Sequence, residues 1–199
     1  LIEHALCVAM DFSGSMGSIQ RAGVKFAAVS LLRELKRSPS ANTFDVRIVA
    51  WSTSHIAIER RNCTAQDYDD MIAFVEAIKI TGGTDFREAV AGLDAFYSGA
   101  SGKCRTFTFL TDGIPTDPAW ATAAAATLAA TGARSYAFNL GEPDTTYTAL
   151  MDNTSDGGVP VIRDSNGYNL LTGLFTLSVT NQIDMNPAHI IRECLVNSV

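Results

Sequence analysis

The sequence predicts an α/β fold: a doubly wound, mostly parallel, six-stranded sheet flanked by helices on both faces. Three observations predict it. Strand-like and helix-like stretches alternate along the chain, the pattern of a parallel sheet with crossover helices. Two stretches, Ala5–Met10 and Cys104–Leu110, read as buried strands; in the second, six of seven residues are apolar or β-branched. The turns after both strands are rich in Asp, Ser, Thr and Gly, at the carboxyl end of the strand where open α/β sheets bind ligands.

The first strand runs from His4 to Asp11. The helix after it, about Ile19 to Lys36, carries Val24, Ala28, Leu31 and Leu35 at spacings of four, three and four, widened by Phe26, Val29 and Leu32. Lys25, Arg33, Glu34, Lys36 and Arg37 mark its wetted side, and Ser38-Pro39-Ser40 ends it. Phe44–Trp51 is the second strand. The short turn Ser52-Thr53-Ser54 makes His55–Glu59 its antiparallel partner, with Arg60-Arg61-Asn62 as a polar edge. Thr64 and Asp67 suit the cap of a helix bearing Tyr68, Met71, Ile72, Val75 and Ile78. After Gly82-Gly83, a helix starting at Asp85 turns Phe86, Val90, Leu93 and Phe96 or Tyr97 inward. The strand Cys104–Leu110 precedes an alanine-rich helix, Ala119–Thr131, whose small side chains permit a close approach to the sheet. Ala133–Leu140 is a fifth strand, Thr145–Met151 a short helix, Val159–Arg163 a sixth strand and Tyr168–Val179 a final amphipathic helix.

The chain of 199 residues is 47% hydrophobic and 18% charged, enough to bury a core without disulfide staples. Its net charge of −6 disfavours nucleic acid as a partner. No apolar run approaches the roughly 18–20 residues of a membrane span, so membrane insertion is not expected. The chain opens at Leu1 rather than Met, which predicts a piece of a longer polypeptide. Asn62-Cys63-Thr64 and Asn153-Thr154-Ser155 fit the glycosylation pattern, but such triplets recur by chance.

The candidate chemistry begins at Asp11-Phe12-Ser13-Gly14-Ser15, where a carboxylate and two hydroxyls alternate at the end of the first strand. These are also the residues of ordinary turns and caps. Two further stretches add to them. Thr81-Gly82-Gly83-Thr84-Asp85 precedes a helix, and Thr111-Asp112-Gly113 follows an apolar strand. Oxygen donors without His or Cys suit a hard divalent cation. No nucleophile elbow or phosphate-binding loop is present, and His4, His55 and His189 lie on no base or zinc motif, so no enzyme is expected. The one basic residue expected close to these loops is Arg87.

On these residues the chain resembles a von Willebrand factor type A domain. In that family a metal-ion-dependent adhesion site is built from D-x-S-x-S, a later Thr and a later Asp. The matching positions here are Asp11, Ser13, Ser15, Thr84 and Asp112, in the family's order. The resemblance covers roughly residues 3 to 181, giving a domain over 1–181 and a linker with the start of a following helical segment over 182–199. It implies the strand order 3-2-1-4-5-6 with strand 3 antiparallel. It implies that Ser13, Ser15 and Thr84 present hydroxyls to the ion while Asp11 and Asp112 act largely through water, leaving an open position for a partner's carboxylate. Mg2+ or Mn2+ fits few direct ligands better than Ca2+. Met16, Ser52, Asp85, Asp117 and Glu142 are candidates for the surrounding ligand surface. The implied sheet order separates Cys63 from Cys104 by about two strand spacings of roughly 4.8 Å or more, so free thiols are expected.

The segment Met185–Leu195, with Asn186-Pro187-Ala188 before a helical pattern, resembles one found in bacteriophage tail-tip (host-specificity) proteins; a generic linker helix reads equally well. Two functions follow as expectations. One is an adhesion module of a phage or prophage tail, in the virion, binding a protein ligand or host-surface receptor through the cation. The other is a scaffold domain ordering an internal interface in a larger extracellular or cytoplasmic complex.

Overall fold

The computed structural model describes residues 3–141 and 144–154. Five strands form one sheet in the order β3-β2-β1-β4-β5. They are β1 (His4–Asp11), β2 (Asp45–Trp51), β3 (His55–Arg60), β4 (Cys104–Thr111) and β5 (Arg134–Asn139). All pairings are parallel except β2 with β3. The expected order therefore holds through its first five positions. The sixth strand expected at 159–163, the final helix at 168–179 and the segment 182–199 lie outside the described residues.

Strand β1 is the axis. It lies between β2 and β4, with Asp11 opposite Trp51 and Met10 opposite Leu110. Its alternation sends Leu6, Val8 and Met10 to one face and Ala5, Cys7 and Ala9 to the other. The first face packs under α1 (Ser18–Arg37) and α2 (Ala65–Ala77), through Val24, Leu31, Leu35, Tyr68, Met71 and Val75. The second packs under α3 (Phe86–Val90), α4 (Leu93–Ser98) and α5 (Pro118–Ala130). Trp51, Phe86 and Phe109 fill that side, with ring centroids 4.9–5.6 Å apart. Truncating one fully buried leucine such as Leu31 to alanine costs about 2–5 kcal/mol at such a site.

Helix α1 differs from the sequence expectation on both flanks. Phe26 is 52% exposed, because the buried stripe through Val24, Ala27, Ala28 and Leu31 leaves position 26 on the opposite side. Lys25, expected in water, reaches across to the end of α2. Its Nζ donates to the carbonyls of Glu76 at 3.0 Å and Ile78 at 2.8 Å, groups a helix end leaves unpaired. Helix α2 starts as expected: Thr64 accepts from the Asp67 amide, and the Asp67 carboxylate accepts from the Thr64 amide.

The single helix expected from Asp85 is two. The chain turns at Gly92, φ +72°, a left-handed conformation that glycine adopts without steric cost. Arg47 fills the elbow, donating from Nη2 to the Ala91 carbonyl at 2.9 Å. The inward residues Phe86, Val90, Leu93, Phe96 and Tyr97 are nevertheless all buried. The short helix expected over Thr145–Met151 contracts to α6 (Thr146–Ala149).

Cys7, Cys63 and Cys104 are free thiols. Burial pushes the Cys7 thiol up to about 12, so it packs as a small hydrophobe. Among the described residues no helix is long and apolar enough to cross a membrane.

Candidate metal centre

Three loops meet at the carboxyl ends of β1 and β4, because those strands are neighbours and parallel. The loop after β1 carries Asp11, Ser13 and Ser15. The loop before α3 carries Thr84, and the loop after β4 carries Asp112. The first two are tied by the Gly14 amide, which donates to the Gly82 carbonyl at 2.7 Å. The Thr84 amide donates to Thr116 Oγ1 at 3.1 Å and the Thr116 amide returns a bond to the Thr84 carbonyl at 2.9 Å, tying the second loop to the third.

The side chains follow this frame. Asp11 is fully buried. Its Oδ1 accepts the Ser13 amide and its Oδ2 accepts the Thr111 hydroxyl, each at 2.6 Å. The Ser13 and Ser15 hydroxyls lie 2.9 Å apart, and Ser15 Oγ donates to Asp112 Oδ1 at 2.9 Å. Thr84 lies against Gly113: a Cβ added to that glycine would stand 3.2 Å from Thr84 Cγ2 and 3.6 Å from its Oγ1. Asp11, Ser13, Ser15 and Asp112 are thus linked by bonds of 2.6–2.9 Å running through Thr111 and the loop backbone, with Thr84 beside Gly113.

The donor set fits a hard cation. It holds two carboxylates and three hydroxyls, and neither His nor Cys. Burial pushes the Asp11 carboxyl up to about 7; bonds from Thr111 and Ser13 oppose the rise, and the Asp112 charge adds to it. A buried acid beside a second acid gains from a positive charge placed between them.

The residues expected on the ligand surface differ in exposure. Met16 and Ser52 are buried, Met16 in the core beneath α1 and Ser52 as a hinge whose carbonyl accepts the Asp85 amide at 3.1 Å. The Ser52 hydroxyl has no hydrogen-bond partner among the described residues. Asp85 is also buried, capping α3 and gripping Arg87 through both oxygens at 2.9 and 2.7 Å. Asp117 is exposed and caps α5 through the Ala119 amide. Glu142 lies outside the described residues. Exposed residues in and next to these loops include Ser15, Ile19, Thr53 and Ile114.

Sequence reasoning missed two contributors. Thr111 bridges Asp11 Oδ2 and the Gly113 amide, and its place just before Asp112 at a strand end was the available signal. Arg21 donates to the Ser13 carbonyl at 2.8 Å and the Met16 carbonyl at 3.0 Å. Arg87, expected as the one nearby base, is instead held by Asp85 and stacked 4.4 Å over Trp120.

No family model matches the sequence, and no curated protein matches it. Solved structures do. A von Willebrand factor type A protein from Catenulispora acidiphila superposes with a TM-score of 0.73 at 18% identity, covering 89% of this chain and 43% of that one. The open conformation of the pilus adhesin SpaC from Lactobacillus rhamnosus GG gives 0.75 at 13%, covering 90% and 30%. Proximal thread matrix protein 1 from the mussel byssus, with a zinc-occupied metal-ion-dependent adhesion motif, gives 0.67 at 13%, covering 89% and 46%. The chain spans less than half the length of each of these proteins. Its strand order, its one antiparallel edge strand and these superpositions together give the chain the fold of a von Willebrand factor type A domain.

Proposed function

We propose that this chain is a protein-binding adhesion module, not an enzyme, that grips an acidic group of its partner through a divalent cation. The observation that carries the reading is the hydrogen-bonded group Ser13–Ser15–Asp112 beside the buried Asp11, assembled from separate loops at one sheet edge. Ser13, Ser15 and Thr84 would hold the ion through hydroxyls, with Asp11 and Asp112 supplying negative charge. Bound there, Mg2+ or Mn2+ supplies a Lewis-acidic position that accepts a ligand carboxylate. Ser15 is exposed, so a partner reaches the edge directly.

The adhesin and the metal-occupied byssus domain among the structural neighbours support adhesion as the use of such a site. The resemblance of Met185–Leu195 to phage tail-tip proteins supports a place in a phage or prophage tail, with a host-surface or neighbouring tail protein as ligand. Calorimetry tests the metal: Asp11→Ala and Ser13→Ala each abolish Mg2+ binding, and an unchanged affinity in either refutes the site. Binding of the chain to bacterial cells with and without chelator tests the adhesive role. Retention that ignores chelator removes it, and tail sequence flanking the gene on neither side removes the phage assignment.

A further inference from the structure

The loop between β1 and α1 has hydroxyls and backbone carbonyls that compete for any cation placed at its tip. Which of them face the ion depends on the orientation of the peptide units from Ser13 to Met16. Two of these carbonyls are already taken. Arg21, one turn into α1, donates from Nη2 to the Ser13 carbonyl at 2.8 Å and from Nε to the Met16 carbonyl at 3.0 Å. The Ser13 carbonyl also accepts the Met16 amide at 3.2 Å, and the Gly14 amide is held by Gly82. A longer contact of 3.4 Å from Arg21 Nη2 reaches Thr81 Oγ1 in the second loop. The guanidinium is a planar fork, and its two donors are matched to two carbonyls three residues apart.

We propose that Arg21 is a positioning residue that sets the metal preference of this site, by holding the Ser13 and Met16 carbonyls away from the cation so that hydroxyls face it. The inference rests on the proposed metal-binding reading. Its physical basis is the difference between the two common hard cations. Ca2+ takes six to eight oxygens and accepts backbone carbonyls readily, whereas Mg2+ takes six at shorter distance and keeps several waters. A loop whose carbonyls are sequestered offers few protein oxygens, which favours Mg2+. Freed, the same carbonyls can turn toward the ion and raise the count, which favours Ca2+. A positive side chain near a dication acts in the opposite sense on overall affinity, since it repels any divalent ion. That repulsion is the same for both metals, so the ratio of affinities separates positioning from charge.

The test is titration calorimetry of the 199-residue chain with MgCl2 and with CaCl2, for the wild type, Arg21→Ala and Arg21→Lys. Lysine keeps the charge and most of the stem but lacks the fork. Losing charge-assisted bonds to the loop lowers the Mg2+-to-Ca2+ affinity ratio by about tenfold in both variants. Equal shifts for the two metals, or an unchanged ratio, overturn the inference while leaving the metal site standing. A wild-type chain that binds neither ion overturns the underlying reading as well. If Arg21→Ala does not fold, as judged by its circular dichroism, Arg21→Lys alone decides the comparison, because a general loss of stability would weaken both metals together.

Discussion

Thr111→Val isolates the bond network beneath the candidate metal loops. Valine matches threonine in shape, so the substitution removes one hydroxyl and little volume. That hydroxyl donates to Asp11 Oδ2 at 2.6 Å and accepts the Gly113 amide at 3.0 Å, and both Thr111 and Asp11 are fully buried. A buried partner left without its bond costs about 1–3 kcal/mol, with carboxylates at the upper end. Two such partners are orphaned here, so the metal-free protein should lose about 3 kcal/mol. Urea unfolding followed by circular dichroism measures it, and the slope should stay unchanged because the exposed surface does. The Asp11 carboxyl, already up to about 7 from burial and lightened by Thr111, then rises further, so cation uptake at neutral pH weakens in the same variant. A loss below about 0.5 kcal/mol would refute the assignment of Thr111 as the bridge between the two loops.

Three further outcomes are expected. Asp45, buried at the start of β2, is held by Lys103 Nζ at 2.9 Å, Arg61 Nη1 at 3.1 Å and the Asn62 amide at 2.8 Å; burial pushes its carboxyl up, and these three partners outweigh that and leave it below the usual range. A folded value below the unfolded one means stability present above about pH 3.9 and lost as the pH falls through the folded value, so Asp45→Asn should be less stable than the wild type at pH 7 and the difference should close as the pH is lowered through the acid range in urea titrations. Gly92→Ala forces a side chain into φ +72°, with its Cβ 3.2 Å from Arg47 Nη2, and should cost about 1–2 kcal/mol by thermal unfolding; no loss would mean that the elbow is not set by this residue. Mg2+ at about a hundred times its dissociation constant should stabilise the wild type by about 2.7 kcal/mol, and Asp112→Ala should show no such shift in a melting assay.

The sheet was legible because its signals are local. The apolar runs of β1 and β4 and the cap at Thr64 are each set by a few adjacent residues. The break at Gly92 was hidden because the apolar spacing from Phe86 to Tyr97 continues through it, and the Arg47 side chain that fills the elbow comes from a strand 44 residues earlier. The exposure of Phe26 depends on which face of α1 meets the sheet, a tertiary choice. At the candidate site, residue types and order marked the five oxygens. Burial around them was not marked: Met16 and Ser52 look like loop residues in sequence and turn inward, Met16 into the core beneath α1 and Ser52 against Gly82. Arg21 gave no sign, since an arginine early in a helix ordinarily faces water.

The face of β1 beneath α3 is lined by Ala5, Cys7 and Ala9, residues too short to prop that helix away from the sheet. Thr84 and Asp85 lead into the amino end of α3, so the thinness of this layer helps set how near that loop stands to the loop after β1. Enlarging Ala9 to valine would act like a shim under the helix, at a cost of about 1–3 kcal/mol, and would widen the proposed ion site from a position two residues before Asp11. Affinity at the proposed site would therefore be set in part from the floor of the molecule, beneath the loops that a ligand would meet.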